Sequence, residues 1–158
     1  MSDGISIEIK FTPTIEQVKA KFDAIQKSLD NKIDPFTGIQ VYLDAWVQRN
    51  FKTEGGKVGG WEKLAAGGRW KTSASGKSVF DSSAKILQDT GRLRLSFVSF
   101  VKYDSVSIGS DIPYSKKHEE GQNGLPVRRM LPKYTEISKD VKKIFNLYIA
   151  KILNNKKL

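Results

Sequence analysis

The 158-residue chain contains no cysteine. That absence removes disulfide scaffolds, thiolate metal sites and cysteine nucleophiles together. Histidine occurs once, as His118, so no second imidazole or thiolate can share a metal with it. Arginine accounts for only six of the 27 basic residues. The guanidinium is the better reader of bases and phosphates, so sequence-specific DNA recognition is disfavoured. No apolar run approaches the ~20 residues that span a bilayer, and Met1-Ser2-Asp3-Gly4 lacks the basic and apolar regions of a signal peptide. The expectation is a soluble protein made where it is used, without a membrane partner.

Catalytic chemistry also finds little to work with. A serine triad is usually announced by a Gly-x-Ser-x-Gly elbow, and none occurs. Glu119 and Glu120 are adjacent and would point different ways on a helix, so they read as solvated or paired with Lys116 and Lys117. Gly76-Lys77-Ser78 ends like a phosphate-binding loop, but the glycine it requires upstream would stand at position 71, which is Lys71. His118 is therefore assigned a structural hydrogen-bonding role, and no enzyme activity, cofactor or metal is expected.

What is present suffices for one domain over residues 1–158: 39% hydrophobic residues, with 13 glycines besides. The formal charge of +10 sets up a field that attracts polyanions, although scattered lysines also fit plain solubility.

Periodicity divides the chain. Ile5, Ile7, Ile9 and Phe11 alternate with polar residues, the pattern of a half-buried strand. After Pro13, Thr14 and Gln17 form a capping box, and Ile15, Val18, Phe22, Ile25 and Leu29 predict an amphipathic helix with one buried face. Leu43, Trp46, Val47 and Phe51 predict a second helix, although Ile39, Val41 and Leu43 also alternate as in a strand. Residues 54–78 hold seven of the 13 glycines and read as an extended loop that orders against a partner, with Trp61, Leu64 and Trp70 as anchors. Tryptophan beside Arg69 and Lys71 can stack on bases, but interface anchoring is the preferred reading. Ser82 predicts the cap of a short helix carrying Ala84 and Leu87, with a Lys85–Asp89 pair, broken at Thr90-Gly91. A hairpin over 97–102 and 105–109 follows. Next come a short helix from Pro113 to Gly121, a loop at 122–126 and an extended segment at 127–131. In the closing segment 134–158, Ile137, Val141, Ile144, Phe145, Tyr148, Ile149, Ile152 and Leu153 form a helical stripe. Lys151, Lys156 and Lys157 suit the negative end of that helix dipole. The fold class is α+β: a small, mostly antiparallel sheet (5–11, 97–102, 105–109, with 127–131 as a further candidate) packed against helices at 14–30 and 136–154, with a long Gly-rich loop.

Five segments in fixed order resemble the phage virion-morphogenesis, or tail-completion, family. Trp61-Glu62-Lys63-Leu64 is similar to its Trp-x-x-Leu element. Ile86-Leu87-Gln88-Asp89-Thr90-Gly91-Arg92-Leu93-Arg94-Leu95-Ser96 resembles its Ile-Leu-x-x-Thr-Gly-x-Leu-x-x-Ser block. Val106-Ser107-Ile108-Gly109-Ser110 matches Val-x-Ile-Gly-Ser, Tyr114 to Gly121 resembles Tyr-Ala-x-x-His-Gln-x-Gly, and Pro126 to Leu131 resembles Pro-x-Arg-x-Phe-Leu. The departures are Ser115 for Ala, Glu119 for Gln and Met130 for Phe, which touch the local contacts around His118 and Met130. On physical grounds Gly91 permits a turn that a Cβ would hinder, Gly121 can end a helix in the left-handed conformation, and Arg128 can hold a carboxylate of its own or a neighbouring subunit.

The resemblance implies a structural virion protein, assembled in the host cytoplasm, that forms a hexameric ring at the head-proximal end of the tail and joins tail to neck. Its partners would be further copies of itself, the tail tube or sheath, and neck or connector proteins. Trp61, Leu64, Trp70, Tyr114, His118 and Arg128 are the candidate subunit contacts. A ring lumen would pass DNA, and Lys139, Lys142 and Lys143, with Lys151, Lys156 and Lys157, are candidates for non-specific phosphate contact. The alternatives are a neck adaptor or head-closure protein and, from a different class, a free non-specific basic DNA-binding protein.

Overall fold

The central element is a helix whose period the sequence shows only on its buried side. In α2 (Ile33–Lys52), Ile39, Leu43, Trp46, Val47, Asn50 and Phe51 are buried while Val41 is 63% exposed. A strand would place Val41 on the same face as Ile39 and Leu43; a helix turns it away, which settles the ambiguity of that stretch. A computed structural model describes residues 15–30, 33–102 and 105–155. The candidate strand 5–11, and Lys156 and Lys157, lie outside the described residues.

The α+β expectation holds. Five helices accompany two antiparallel two-stranded sheets among the described residues. The expected 97–109 hairpin is β3 (Phe97–Val101) and β4 (Val106–Ser110), paired Val98↔Gly109, Ser99↔Ile108 and Phe100↔Ser107. Its support differs from expectation: the hairpin packs chiefly on α2, which in turn packs on α5 (Tyr134–Asn155), and α5 carries α1 (Ile15–Asp30). Polar pins fix the first of these interfaces. The Ser99 hydroxyl donates to Asp44 at 2.9 Å, and Gln40 Nε2 donates to the Ser99 carbonyl at 3.1 Å. The second is fixed by the Tyr42 hydroxyl donating to Asp140 at 2.7 Å and by an edge-on Phe36–Phe145 contact. Around α1 the expected buried stripe is only partly realised. Val18 and Ile25 are half-buried, but Phe22 is 67% exposed, because a helix supported mainly by one neighbour buries a narrower arc than its apolar stripe offers.

Residues 54–78 are not one extended loop, and this corrects the sequence reading. Their glycines make turns. Gly55, at φ 87°, donates its N–H to the Asn50 carbonyl and ends α2. The chain then passes through a 3₁₀ turn (Gly56–Val58) and returns so that Trp61 N–H reaches the Glu54 carbonyl at 2.8 Å. A Cβ on Gly55 would collide with the Trp61 ring and backbone, so this glycine is required for conformation and for space alike. Further on, β1 (Arg69–Thr72) and β2 (Ser78–Asp81) form a hairpin with Trp70 opposite Phe80, closed by a turn in which Ser73 N–H meets the Lys77 carbonyl.

Two other expectations are corrected. No helix starts at Ser82. Asp81 Oδ1 accepts Ser83 N–H at 2.9 Å and the Glu54 carboxylate accepts Ile86 N–H at 2.7 Å, so carboxylates take the amides that a first helical turn would leave free. Leu87 stands at φ 57°, outside helical space. Asp89 pairs with Arg69 at 2.7 Å in place of Lys85. A single helical turn, α3 (Arg92–Leu95), follows Gly91. The segment 127–131 is extended but joins no sheet. Its backbone is held by other groups: Arg128 N–H by the His118 carbonyl, Met130 N–H by Glu119, and the Arg129 carbonyl by Asn50 Nδ2 and Trp61 Nε1. With its hydrogen bonds satisfied that way, it needs no partner strand.

Candidate functional site: a basic cleft

The expected short helix is α4 (Pro113–Glu120), with proline in its first turn and Gly121 closing it at φ 71°. Its residues Tyr114 and His118, four apart, share a face, and their rings meet edge-on at 6.3 Å. Gly121 lies so close to Val127 that a Cβ there would overlap its side chain, so α4 and the strap 127–131 are locked together. That lock brings Arg128 beside His118.

Opposite α4, Gly91 takes φ 74° and turns the chain into α3, burying Leu93. Between these elements opens a cleft of about 260 Å³, lined by Tyr114, His118 and Arg128 together with Thr90, Gly91, Leu93 and Leu64. Arg69, Asp89 and Arg92 border it. Three guanidinium groups face one carboxylate, and that carboxylate is already committed to Arg69.

The Arg128 side chain is 8% exposed and donates from Nε and Nη2 to the Glu62 carbonyl at 3.4 and 3.2 Å. No ion pair to it is present among the described residues. Burial lowers its pKa, opposed only by the Glu62 charge. Burial also lowers the His118 pKa, and Arg128 lowers it further, which keeps the imidazole neutral near pH 7. His118 Nδ1 is buried and has no hydrogen-bond partner among the described residues, so the side chain does not play the hydrogen-bonding role assigned to it; its backbone carbonyl does. Such a cleft suits a carboxylate or other anionic group presented by a partner. Glu119, beside it, faces the other way. Its carboxylate accepts the Met130 and Leu131 amides at 2.6 and 3.5 Å, and burial raises its pKa. Glu120 pairs loosely with Lys116.

The six candidate contact residues therefore separate. Leu64, Tyr114, His118 and Arg128 line one cleft, as does the turn glycine Gly91. Trp61 does not join them at the surface: it is 6% exposed, stacked edge-on to Phe51 with centroids 5.2 Å apart, and its indole N–H is bonded to the Arg129 carbonyl at 2.9 Å. It belongs to the core. Trp70 is 67% exposed on the β1–β2 hairpin, away from the cleft. Lys139, Lys142 and Lys143 are exposed along α5 at spacings of three and four, a solvated stripe on one helical face. The pairing of Arg69 with Asp89 was not foreseen from sequence, since a pair 20 residues apart leaves no local signal.

Among the described residues, no group of three or more His, Cys, Asp or Glu side chains could hold a metal ion, and no helix is long and apolar enough to cross a membrane. No family model, curated protein or solved structure matches the chain.

Proposed function

We propose that this chain is a structural phage virion protein of the tail-completion kind, a ring subunit at the head-proximal end of the tail that ends the tube and joins it to the neck. One observation carries the reading. Segments resembling that family are spread over residues 61–131, and four of the five meet in space: Leu64, the Thr90-Gly91-Leu93 turn, Tyr114 with His118, and Arg128 all line the basic cleft. The fifth is β4, whose outer side is open. A cleft where polar and charged groups from distant parts of the chain converge is the natural place for a binding site. Here the groups gathered are a buried cation and a neutral imidazole, with no nucleophile set against a base, which suits docking a partner's anionic side chain better than turnover.

Particles assembled without this chain test the proposal. Overlong tails identify a terminator; tails of normal length that fail to attach to heads identify the neck-adaptor or head-closure variant. Finished virions that lack the protein and still form normal tails refute both. The lysine stripe on α5 supports a secondary, sequence-blind contact with DNA in the ring lumen. Retention of DNA should then fall steeply with salt, and binding that is negligible or indifferent to salt removes that part.

A further inference from the structure

The outer face of the β3–β4 hairpin is apolar and open. Along β3, Ser99 is buried against α2, while Val98 and Phe100 point away and are 49% and 61% exposed. Their cross-strand partners are the smallest available, Gly109 opposite Val98 and Ser107 opposite Phe100. The result is a groove of about 640 Å³ whose floor is Gly109 and whose apolar side is Val98 and Phe100, with Asp111 at one end. Pockets for ring-sized groups span about 300–1,000 Å³.

Gly109 has no reason for being glycine within the described chain. Its backbone is not in the left-handed region, and a Cβ there would meet nothing within 4 Å. Glycine inside a strand weakens it, and often marks the place where something else approaches closely.

A group shaped to fill such a groove stands elsewhere on the same chain. On the β1–β2 hairpin, Trp70 and Phe80 are cross-strand partners on one face, in edge contact at 5.3 Å, and 67% and 38% exposed. The hairpin is tied back at its base, through Arg69 to Asp89 and to the Lys85 carbonyl, and projects beyond it. Lys77 at its tip and Asp111 at the groove end have no ion-pair partner among the described residues.

We infer that the Trp70–Phe80 pair of one copy docks into the Gly109 groove of a second copy, with Lys77 near the neighbour's Asp111. The inference rests on the ring reading and names a contact that would close the ring. Two different patches of one chain make a head-to-tail interface, which propagates around a ring and does not stop at a symmetric pair. Trp70, Phe80, Val98 and Phe100 are 67%, 38%, 49% and 61% exposed, which at about 200 Å² per large side chain offers roughly 450 Å² of surface. That is too little for a stable isolated dimer, which buries upward of about 1,000 Å². It suffices for a contact that each ring member makes twice.

Sedimentation velocity over a concentration series, with the full chain, tests the contact. The wild type should associate; Trp70→Ala and Gly109→Leu should each abolish association while keeping the wild-type circular dichroism spectrum. A mixture of the two can make only one such contact per pair, too small to hold a dimer, so it should stay unassociated as well. The absence of native cysteine allows a second readout. Lys77→Cys and Asp111→Cys, mixed and oxidised, should yield a disulfide dimer at least tenfold above either alone, and adding Trp70→Ala to the first should remove it. A wild type that never associates, or variants that associate and cross-link as it does, overturn the contact. Association lost only on removal of residues 1–14, with Trp70→Ala inert, assigns the groove to the chain's own N-terminal segment and overturns it as well. The tail phenotype of particles lacking the protein judges the ring reading independently.

Discussion

Replacing each of the two tryptophans of the glycine-rich stretch by alanine should have opposite consequences, although they lie nine residues apart in similar sequence. Trp61 is 6% exposed, packs edge-on against Phe51, and gives its indole N–H to the Arg129 carbonyl. Truncating a buried aromatic to alanine costs about 3–5 kcal/mol. The lost hydrogen bond adds little, because the Arg129 carbonyl keeps the Asn50 Nδ2 donor at 3.0 Å and is not orphaned. At about 2–4 °C per kcal/mol for a chain of this length, the melting temperature should fall by roughly 6–20 °C. Trp61→Phe keeps the ring contact and should cost about half as much or less. Trp70 is 67% exposed, so Trp70→Ala should stay within about 0.5 kcal/mol of wild type. Urea titration followed by circular dichroism measures all three. If Trp70→Ala destabilises as much as Trp61→Ala, or Trp61→Ala costs under about 1 kcal/mol, the division of this stretch into a core turn and a surface hairpin is wrong.

Three further outcomes follow from the same contacts. Burial and Arg128 hold the His118 pKa below its ordinary 6.5, so the fold favours the neutral ring. That contribution is fully present above about pH 6.5 and is lost as pH falls toward the depressed value. Stability measured from pH 7.5 down to 5 should fall less steeply in His118→Gln than in wild type, and equal slopes refute the assignment. Burial and Asp140 raise the Tyr42 pKa to about 12; alkaline spectrophotometric titration should show a late tyrosine step near that pH, and Tyr42→Phe should remove that step at a cost of about 1 kcal/mol. Gly55→Ala meets both a φ of 87° and the Trp61 ring and should cost about 2 kcal/mol or more, whereas Gly109→Ala, in open space, should be neutral or slightly stabilising by thermal melt.

The helices were legible because their buried faces repeat locally. α5 and α4 lie close to where the stripe from Ile137 and the Pro113 and Gly121 signals place them, and the β3–β4 hairpin follows from the apolar run and its turn. Misreadings came where a local pattern is answered by a distant group. Trp61 looked like a surface anchor because glycines surround it, yet those glycines fold it back onto Phe51. Ser82 looked like a helix cap, but Asp81 and Glu54 captured the amides first. Residues 127–131 looked like a strand, and they are extended, but Asn50, Trp61 and Glu119 supply the partners a neighbouring strand would have supplied. Most of the cleft was visible: Leu64, Leu87, Thr90, Gly91, Leu93, Tyr114, His118 and Arg128 stood in motif positions, while Arg69 and Asp89 became a pair only through the hairpin.

The strap at 127–131 also ties distant parts of the molecule to one another. Its donors and acceptors come from the end of α2, from the turn that carries Trp61 and from α4, separated from it by up to 80 residues along the chain. Those groups come together only in the folded chain, so the strap's backbone bonds depend on the packing around it. Its amides are therefore a natural gauge of global opening. In hydrogen exchange the Met130 N–H should be protected as fully as the interior of α2, despite lying in no helix and no sheet.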